Sequence, residues 1–199
     1  MDLLAAIASR MVKTTAARPG CALVASSLCL LAFCCCGLAA EISAPEPQAK
    51  AAFLFGFAKY VEWPTNAFGP GRRPIVIGVI GDDDITRELT AIARGKSIGS
   101  RPVEVFRGPF SEVNRCHVVL LSSSQKWSTT ALLRAVQDSP TLTVADFDSF
   151  LDAGGMISLN TRGTRIQFHV NLPAAQKAGL ALNAKLLALA ESVRGKPGK

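Results

Sequence analysis

The chain has 199 residues, 49% of them hydrophobic and 19% charged, with a formal net charge of +7. That is enough chain for one compact domain whose core needs neither disulfides nor a structural metal. The basic excess is thinly spread: Arg72-Arg73 and the tail from Arg194 to Lys199 make no stripe with interleaved aromatics, which argues against nucleic acid as a partner.

Arg10, Lys13 and Arg18 precede an uncharged, mainly apolar run from Cys21 to Ala40, closed by small residues and followed by Glu41. A positive start, an apolar middle and a small-residue end make a secretory signal peptide, so residues 1–40 are assigned to export. Two other readings use the same run. It is about long enough to stay as a membrane anchor, although Ser26, Ser27 and Gly37 dilute it. Cys34, Cys35 or Cys36 could instead carry a lipid, although Phe33 is large for the position before such a cysteine. Removing residues 1–39 lowers the net charge to +5 and, with five of the six cysteines lying in this segment, leaves Cys116 alone. That excludes an internal disulfide and a cysteine-based metal site in the remaining chain. A single thiol reads as buried and inert, or as half of an intermolecular disulfide.

Pro45-Glu46-Pro47 opens a helix, because proline fits the first turn, and the apolar run that follows carries it through Val61. Phe53, Phe57 and Tyr60 form one stripe, with Leu54, Ala58 and Val61 beside it. Phe55 falls outside both and is the aromatic expected to be exposed. Pro64 pushes Trp63 out of helical geometry and ends the helix. The run 75–80 reads as a strand covered on both faces. A helix follows over 85–93, entered through Asp82-Asp83-Asp84. Strands are expected at 103–106, 117–121 and 141–144, with a helix from Trp127 to Val136 and a helical turn at 147–151. Met156 to Leu159 and Arg165 to Val170 form a hairpin around the turn residues Asn160-Thr161-Arg162-Gly163. Asn171 caps one further helix, and Asn183 caps a last one carrying Leu186, Leu187, Ala190 and Val193. Alternating strands and helices imply a Rossmann-like α/β three-layer sandwich with a mainly parallel sheet, and the late hairpin adds an antiparallel edge.

Chemistry is sparse in this order of residues. Gly78-Val79-Ile80-Gly81 sits where a dinucleotide fold binds pyrophosphate, but it lacks the third glycine and the spacing, and three aspartates follow it. Those aspartates read as a helix cap favouring the positive end of the dipole. Asp82, Asp84, Asp146 and Asp148 could hold a divalent cation, yet neither cluster has a known loop spacing, and Asp146 and Asp148 are also read as caps. His117 and His169 both lie in strands, and Cys116 beside His117 cannot form a nucleophilic pair, since neighbouring strand residues point to opposite faces. There is no G-x-S-x-G elbow, and Ser122-Ser123-Ser124 reads as a loop. No catalytic, cofactor or metal residue is assigned, and the balance favours a binding module.

Lys50 to Pro64, including Phe53-Leu54-Phe55-Gly56-Phe57-Ala58-Lys59-Tyr60-Val61-Glu62-Trp63, resembles the opening of the YfiR-like family. Further pieces match in order: Ile77 to Asp82, Cys116-His117-Val118-Val119, Leu142 to Asp146, Phe150 with Gly154-Gly155-Met156-Ile157, Ile166 to Leu172 and Leu186 to Ala190. Gly56 departs from the asparagine many relatives carry. Cys116 stands where some relatives are oxidised, yet has no partner once the leader is gone. The resemblance implies a periplasmic, Rossmann-like domain without a nucleotide site, placed over residues 41–195, and the residues after it, 196–199, read as a flexible, solvated tail. It also implies restraint of an inner-membrane diguanylate cyclase through that enzyme's periplasmic region, relief by an outer-membrane lipoprotein, and a homodimer.

The sequence thus sets out two expectations. The first is a periplasmic regulator that docks on a membrane protein, with Phe53, Phe55, Phe57, Leu186 and Leu187 as partner, dimer or core contacts. The second is a periplasmic small-ligand-binding protein with a crevice near Gly81, Ser122 and Asp146, at the C-terminal ends of the parallel strands.

Overall fold

The computed structural model describes residues 45–195 apart from 72 and 164. The expected signal peptide, residues 1–40, and the expected flexible tail, residues 196–199, lie outside the described residues.

Helix α1 (Glu46–Tyr60) starts behind Pro45 with a proline in its first turn. It ends one residue before the expected point, because Val61 is extended, and Val61–Glu62 forms a two-residue strand, β1. Then come β2 (Ile75–Ile80), α2 (Asp83–Ala93), β3 (Ser97–Ile98), β4 (Arg101–Phe106), β5 (Val118–Leu121), α3 (Thr129–Ala135), β6 (Leu142–Ala145), β7 (Ile157–Arg162), β8 (Arg165–Asn171), α4 (Leu172–Lys177), β9 (Ala181–Leu182), α5 (Ala184–Leu189) and β10 (Ser192–Arg194). Short 3-10 segments at Phe110–Arg115, Ser123–Ser128 and Asp148–Phe150 link them.

Among the described residues eight strands form one sheet, in the order β10-β8-β7-β6-β5-β2-β4-β3. The pairs β10/β8, β7/β6, β6/β5, β5/β2 and β2/β4 are parallel, whereas β7/β8 and β3/β4 are antiparallel. The α/β sandwich with a mainly parallel sheet is therefore the fold. Two details differ from the sequence reading. The hairpin is not the edge, because the chain past α5 turns extended and lays Val193 in β10 against Val170 of β8. Asn160 and Thr161 are strand residues, paired with Gln167 and Ile166, so the turn begins later, at Gly163 with φ +60°.

Strand alternation divides the core between the two faces. Val118 and Leu120 of β5, with Leu142 and Val144 of β6, point to the face covered by α1, α2, α4 and α5. Val119, Leu121 and Ala145 point to the other face, under Leu132 of α3, Val113 and Phe150. All four β5 residues are buried, which explains an apolar run without alternation. Leu54, Phe57 and Ala58 of α1 are fully buried, and the Phe57 ring lies 5.1 Å from that of Phe168. Asp82 caps α2 by accepting from the Ile85 amide at 2.8 Å, and Asn171 and Asn183 cap α4 and α5.

Candidate functional site

At the C-terminal ends of β2 and β5 the sheet order reverses, which in open α/β folds makes a ligand crevice. Here the crevice is filled. The segment Ser123–Ser128 folds over it: Ser124 Oγ donates to the Gly81 carbonyl at 2.6 Å, and a Cβ on Gly81 would collide with Gln125 Cγ. Gly81 also has φ +84°, so only glycine suits both the turn and the close approach. The Ser123 amide donates to Oδ1 of Asp146, and the other oxygen, Oδ2, accepts from Lys50 at 3.0 Å. Lys50 also meets Glu46 at 2.8 Å, and Thr161 Oγ1 donates to Glu46 at 2.7 Å. Burial opposes the Lys50 charge, but the hydrogen bonds and charges of Glu46 and Asp146 outweigh it and hold the ammonium above its ordinary 10.5. The Lys50 hydrogen bond, followed by that from Thr161, lowers the Glu46 carboxyl.

The aspartates considered for a cation are thus dispersed among separate partners. Asp82 caps α2, Asp84 pairs with Arg87 at 2.9 Å, and Asp148 accepts from Asn160 Nδ2 with Arg162 at 3.7 Å. The reading of Asp146 as a helix cap is corrected: it is the acceptor that ties the 123–128 segment and α1 to the end of β6. A shallow depression remains beside it, lined by Asp146, Asp148, Asn160 and Arg162.

The larger cavity, about 750 Å³, opens elsewhere, around Val76, His117 and Thr141 at the N-terminal ends of β2, β5 and β6. Its walls mix Arg73, Arg107 and Arg115 with Glu104, Glu112 and Asp138. His117 sits in an aromatic cage: Phe68 stacks on it at 4.6 Å and Trp63 meets it edge-on at 6.2 Å. The Arg101 guanidinium lies 4.0 Å from the Phe68 centroid. Burial pushes the imidazole below its ordinary 6.5; a hydrogen bond with the Ala67 backbone works the other way, and the Arg101 charge adds to the depression.

Large apolar side chains lie open at Trp127, 76% exposed, and Leu189, 70% exposed. Trp127 is on the 3-10 segment that seals the C-terminal crevice, next to Lys126, whose ammonium lies 5.4 Å from the Phe147 ring centroid. The sequence reading placed Trp127 at the start of a helix; the helix begins two residues later and the indole stands free of it.

A family model described as YfiR/HmsC-like matches residues 47–191. The chain belongs to the YfiR/HmsC-like family. YfiR-like proteins are in general periplasmic regulators of diguanylate cyclases rather than catalysts. No curated protein matches the chain. A solved conserved domain protein from Vibrio cholerae O1 biovar eltor is 11% identical at a TM-score of 0.53, covering 75% of this chain and 60% of that one. The ABC domain in complex with L-Trp from Streptococcus pneumonia is 14% identical at a TM-score of 0.50, covering 72% and 61% respectively. The chain spans about three-fifths of each of those proteins, and the likeness is one of fold. Among the described residues no helix is long and apolar enough to cross a membrane.

In this YfiR-like domain the expected contact residues fall into two groups. Phe57 and Leu186 are buried in the core, while Phe53, Phe55 and Leu187 are half-buried and packed against it. Phe55 is not the open aromatic the helical wheel suggests, because it lies against the core with the Lys96 ammonium 5.6 Å from its ring centroid. Cys116 is 3% exposed, and its Sγ lies 2.9 Å from where a Cβ on Gly78 would stand. Burial pushes its thiol up to about 12, against a small opposing effect of Arg115. An intermolecular disulfide would require Cys116 to leave this position. At Gly56, by contrast, a Cβ would meet nothing within 4 Å. Sequence reasoning missed Lys50–Asp146, Trp127 and the His117 cage. The available signals were a lysine beside the apolar run of the first helix and a tryptophan set among serines and a lysine.

Proposed function

We propose that this protein is an exported periplasmic regulator that binds the periplasmic region of an inner-membrane diguanylate cyclase and lowers cyclic-di-GMP output, with an outer-membrane lipoprotein able to withdraw it. The observation that carries this reading is Trp127, 76% exposed on the segment that closes the crevice at the C-terminal ends of β2 and β5. An indole in water on a tethered, well-anchored segment suits a partner surface, since tryptophan is enriched among residues that dominate binding energy. Binding restrains output only by favouring one of the cyclase's states over the other. Phe53, Phe55 and Leu187 are the half-buried apolar groups that a partner or a second copy would cover further.

The test is whole-cell cyclic-di-GMP in a deletion strain carrying no gene, the wild-type gene, a leaderless version or Trp127→Ala. Deletion should raise the nucleotide, and only the exported wild type should restore it. Unchanged nucleotide on deletion under several growth conditions would remove the cyclase from the proposal.

A second reading has its own support. The cavity of about 750 Å³ is of the size that holds small molecules, so a periplasmic ligand-binding role is the alternative, sited at the N-terminal rather than the C-terminal ends of the strands. Calorimetric screening of the purified protein discriminates the two.

A further inference from the structure

Between Lys50 and Lys59 helix α1 runs Ala-Ala-Phe-Leu-Phe-Gly-Phe-Ala, with no polar side chain on any side. A helix that is apolar all round needs cover all round. The fold supplies part of it. Ala51, Leu54, Phe57 and Ala58 are buried in the core that α1 shares with α2, whereas Ala52 is exposed and Phe53, Phe55 and Gly56 are only half-buried. The rim of this outward face is basic. Lys59 follows Phe55 by one turn, and its ammonium lies 5.8 Å from the ring centroid of the half-buried Tyr60. Lys96, just past α2, lies 5.6 Å from the Phe55 ring centroid, and Arg94 stands two residues before it. All three cations are exposed, and among the described residues none of them forms an ion pair. The acids of the two helices lie elsewhere: Glu46 opens α1, Asp83 and Asp84 open α2, and Glu88 lies beside Arg87. Glu62, past the end of α1, is the one carboxylate close by in sequence. We infer that this face of α1, with the end of α2, docks on an anionic phospholipid surface, placing Phe55 and Tyr60 at the level of the headgroups and Lys59, Arg94 and Lys96 among the phosphates.

The physical reason lies in the pairing of rings with cations. At a bilayer surface an aromatic ring buries its apolar body at headgroup depth, and a lysine beside it lays its stem along apolar surface while its ammonium reaches outward to phosphate. Here both lysines lie over half-buried rings and neither is neutralised by a carboxylate, so the whole of their charge is left for an anionic surface. Each such cation strengthens binding to anionic lipid separately, and the effect is confined to about a Debye length. A second copy of the chain fits this face less well. In a two-fold contact centred on Phe55, Lys59 and Lys96 would face a patch of the same sign. The inference goes beyond the cyclase reading and does not depend on it, since the lipid surface is the partner. It adds a means of holding an exported protein beside enzymes of the inner membrane.

Cosedimentation of the protein lacking its leader with sucrose-loaded vesicles tests it. Vesicles of equimolar phosphatidylglycerol and phosphatidylcholine should take up the protein, and vesicles of phosphatidylcholine alone should not. Raising the salt from about 0.1 M to about 0.5 M should weaken uptake by at least ~10-fold. Lys59→Gln with Lys96→Gln removes two exposed charges and should lower the partition coefficient on the order of 30-fold, about fivefold for each. Ala52→Glu puts a carboxylate on the same face without entering the core and should lower it by about fivefold. Arg134→Gln removes one exposed charge from α3, on the opposite face of the sheet, and should partition as the wild type does. No uptake by the mixed vesicles, equal uptake by phosphatidylcholine alone, or a loss in Arg134→Gln as large as in the α1 variants would each overturn the proposal. Vesicles that never bind, together with a double variant that loses titrated binding of a cyclase's periplasmic region, would assign the face to a protein and exclude the lipid. Should the double variant not fold, Ala52→Glu and the salt series decide.

Discussion

The ammonium of Lys50 lies 3.0 Å from Oδ2 of Asp146, 96 residues away, and no more than a tenth of either side chain is exposed. Since Asp146 also accepts from the Ser123 amide, this pair joins the first helix, the end of β6 and the segment that carries Trp127. Burying two charges is costly, and the arrangement holds because Glu46, Thr161 and the backbone satisfy the remaining hydrogen-bonding capacity.

Breaking the pair from one side should therefore be severe. Lys50→Met or Asp146→Leu alone should each lower stability by about 3–5 kcal/mol, because the partner is left charged and buried. The double substitution Lys50→Met with Asp146→Leu should recover most of the loss. Urea unfolding of the four proteins forms the cycle, and strictly additive single effects would show that the pair is not coupled.

Gly56 offers the opposite sign. It sits inside α1 with open space where a side chain would go. Gly56→Ala should raise stability by about 1 kcal/mol by removing the entropy cost of a mid-helix glycine. The same unfolding measurement checks it, and a loss of stability would mean that the position needs glycine for a contact outside this chain.

Gly78 and Cys116 should show a paired effect. Gly78→Ala sets a methyl 2.9 Å from Cys116 Sγ and should cost about 1–3 kcal/mol, most of it recovered when Cys116→Gly is added. In the wild type, the thiol raised to about 12 leaves a thiolate fraction on the order of one in ten thousand at pH 8. Ellman labelling of the native protein should accordingly be at least ~1000-fold slower than that of the urea-unfolded chain. Rapid native labelling would show that the buried position is visited only part of the time.

Trp127→Ala should leave stability within about 0.5 kcal/mol, since the indole is mostly in solvent. It should weaken binding of the proposed partner, a diguanylate cyclase's periplasmic region, by roughly 10-fold or more, the loss expected of a central anchor. Isothermal titration with wild type and variant reads both the affinity and the stoichiometry. Equal affinities would move the partner surface away from the sealed end of the sheet.

Local patterns carried much of the architecture. The apolar runs at 75–80 and 118–121 are legible as strands because parallel sheets are covered on both faces, and Asp82, Asn171 and Asn183 are legible as caps because their oxygens satisfy amides two or three residues away. The end of the chain was not legible. Ala190 and Val193 continue a helical spacing, but β8 offers an open ladder, and pairing with it outweighs the weak helical preference.

By itself, then, the sequence determined the main strands and helices as far as α5, the caps at Asp82, Asn171 and Asn183, and the family, all of which rest on interactions within a few residues or on ordered short motifs. Tertiary structure decided the rest. It joined Lys50 to Asp146, filled the expected crevice with residues 123–128, moved the open cavity to the other end of the strands, and caged His117 between β2 and the segment 63–71. Each of these depends on how far apart in the chain the contacting groups lie, and periodicity carries no information at that range.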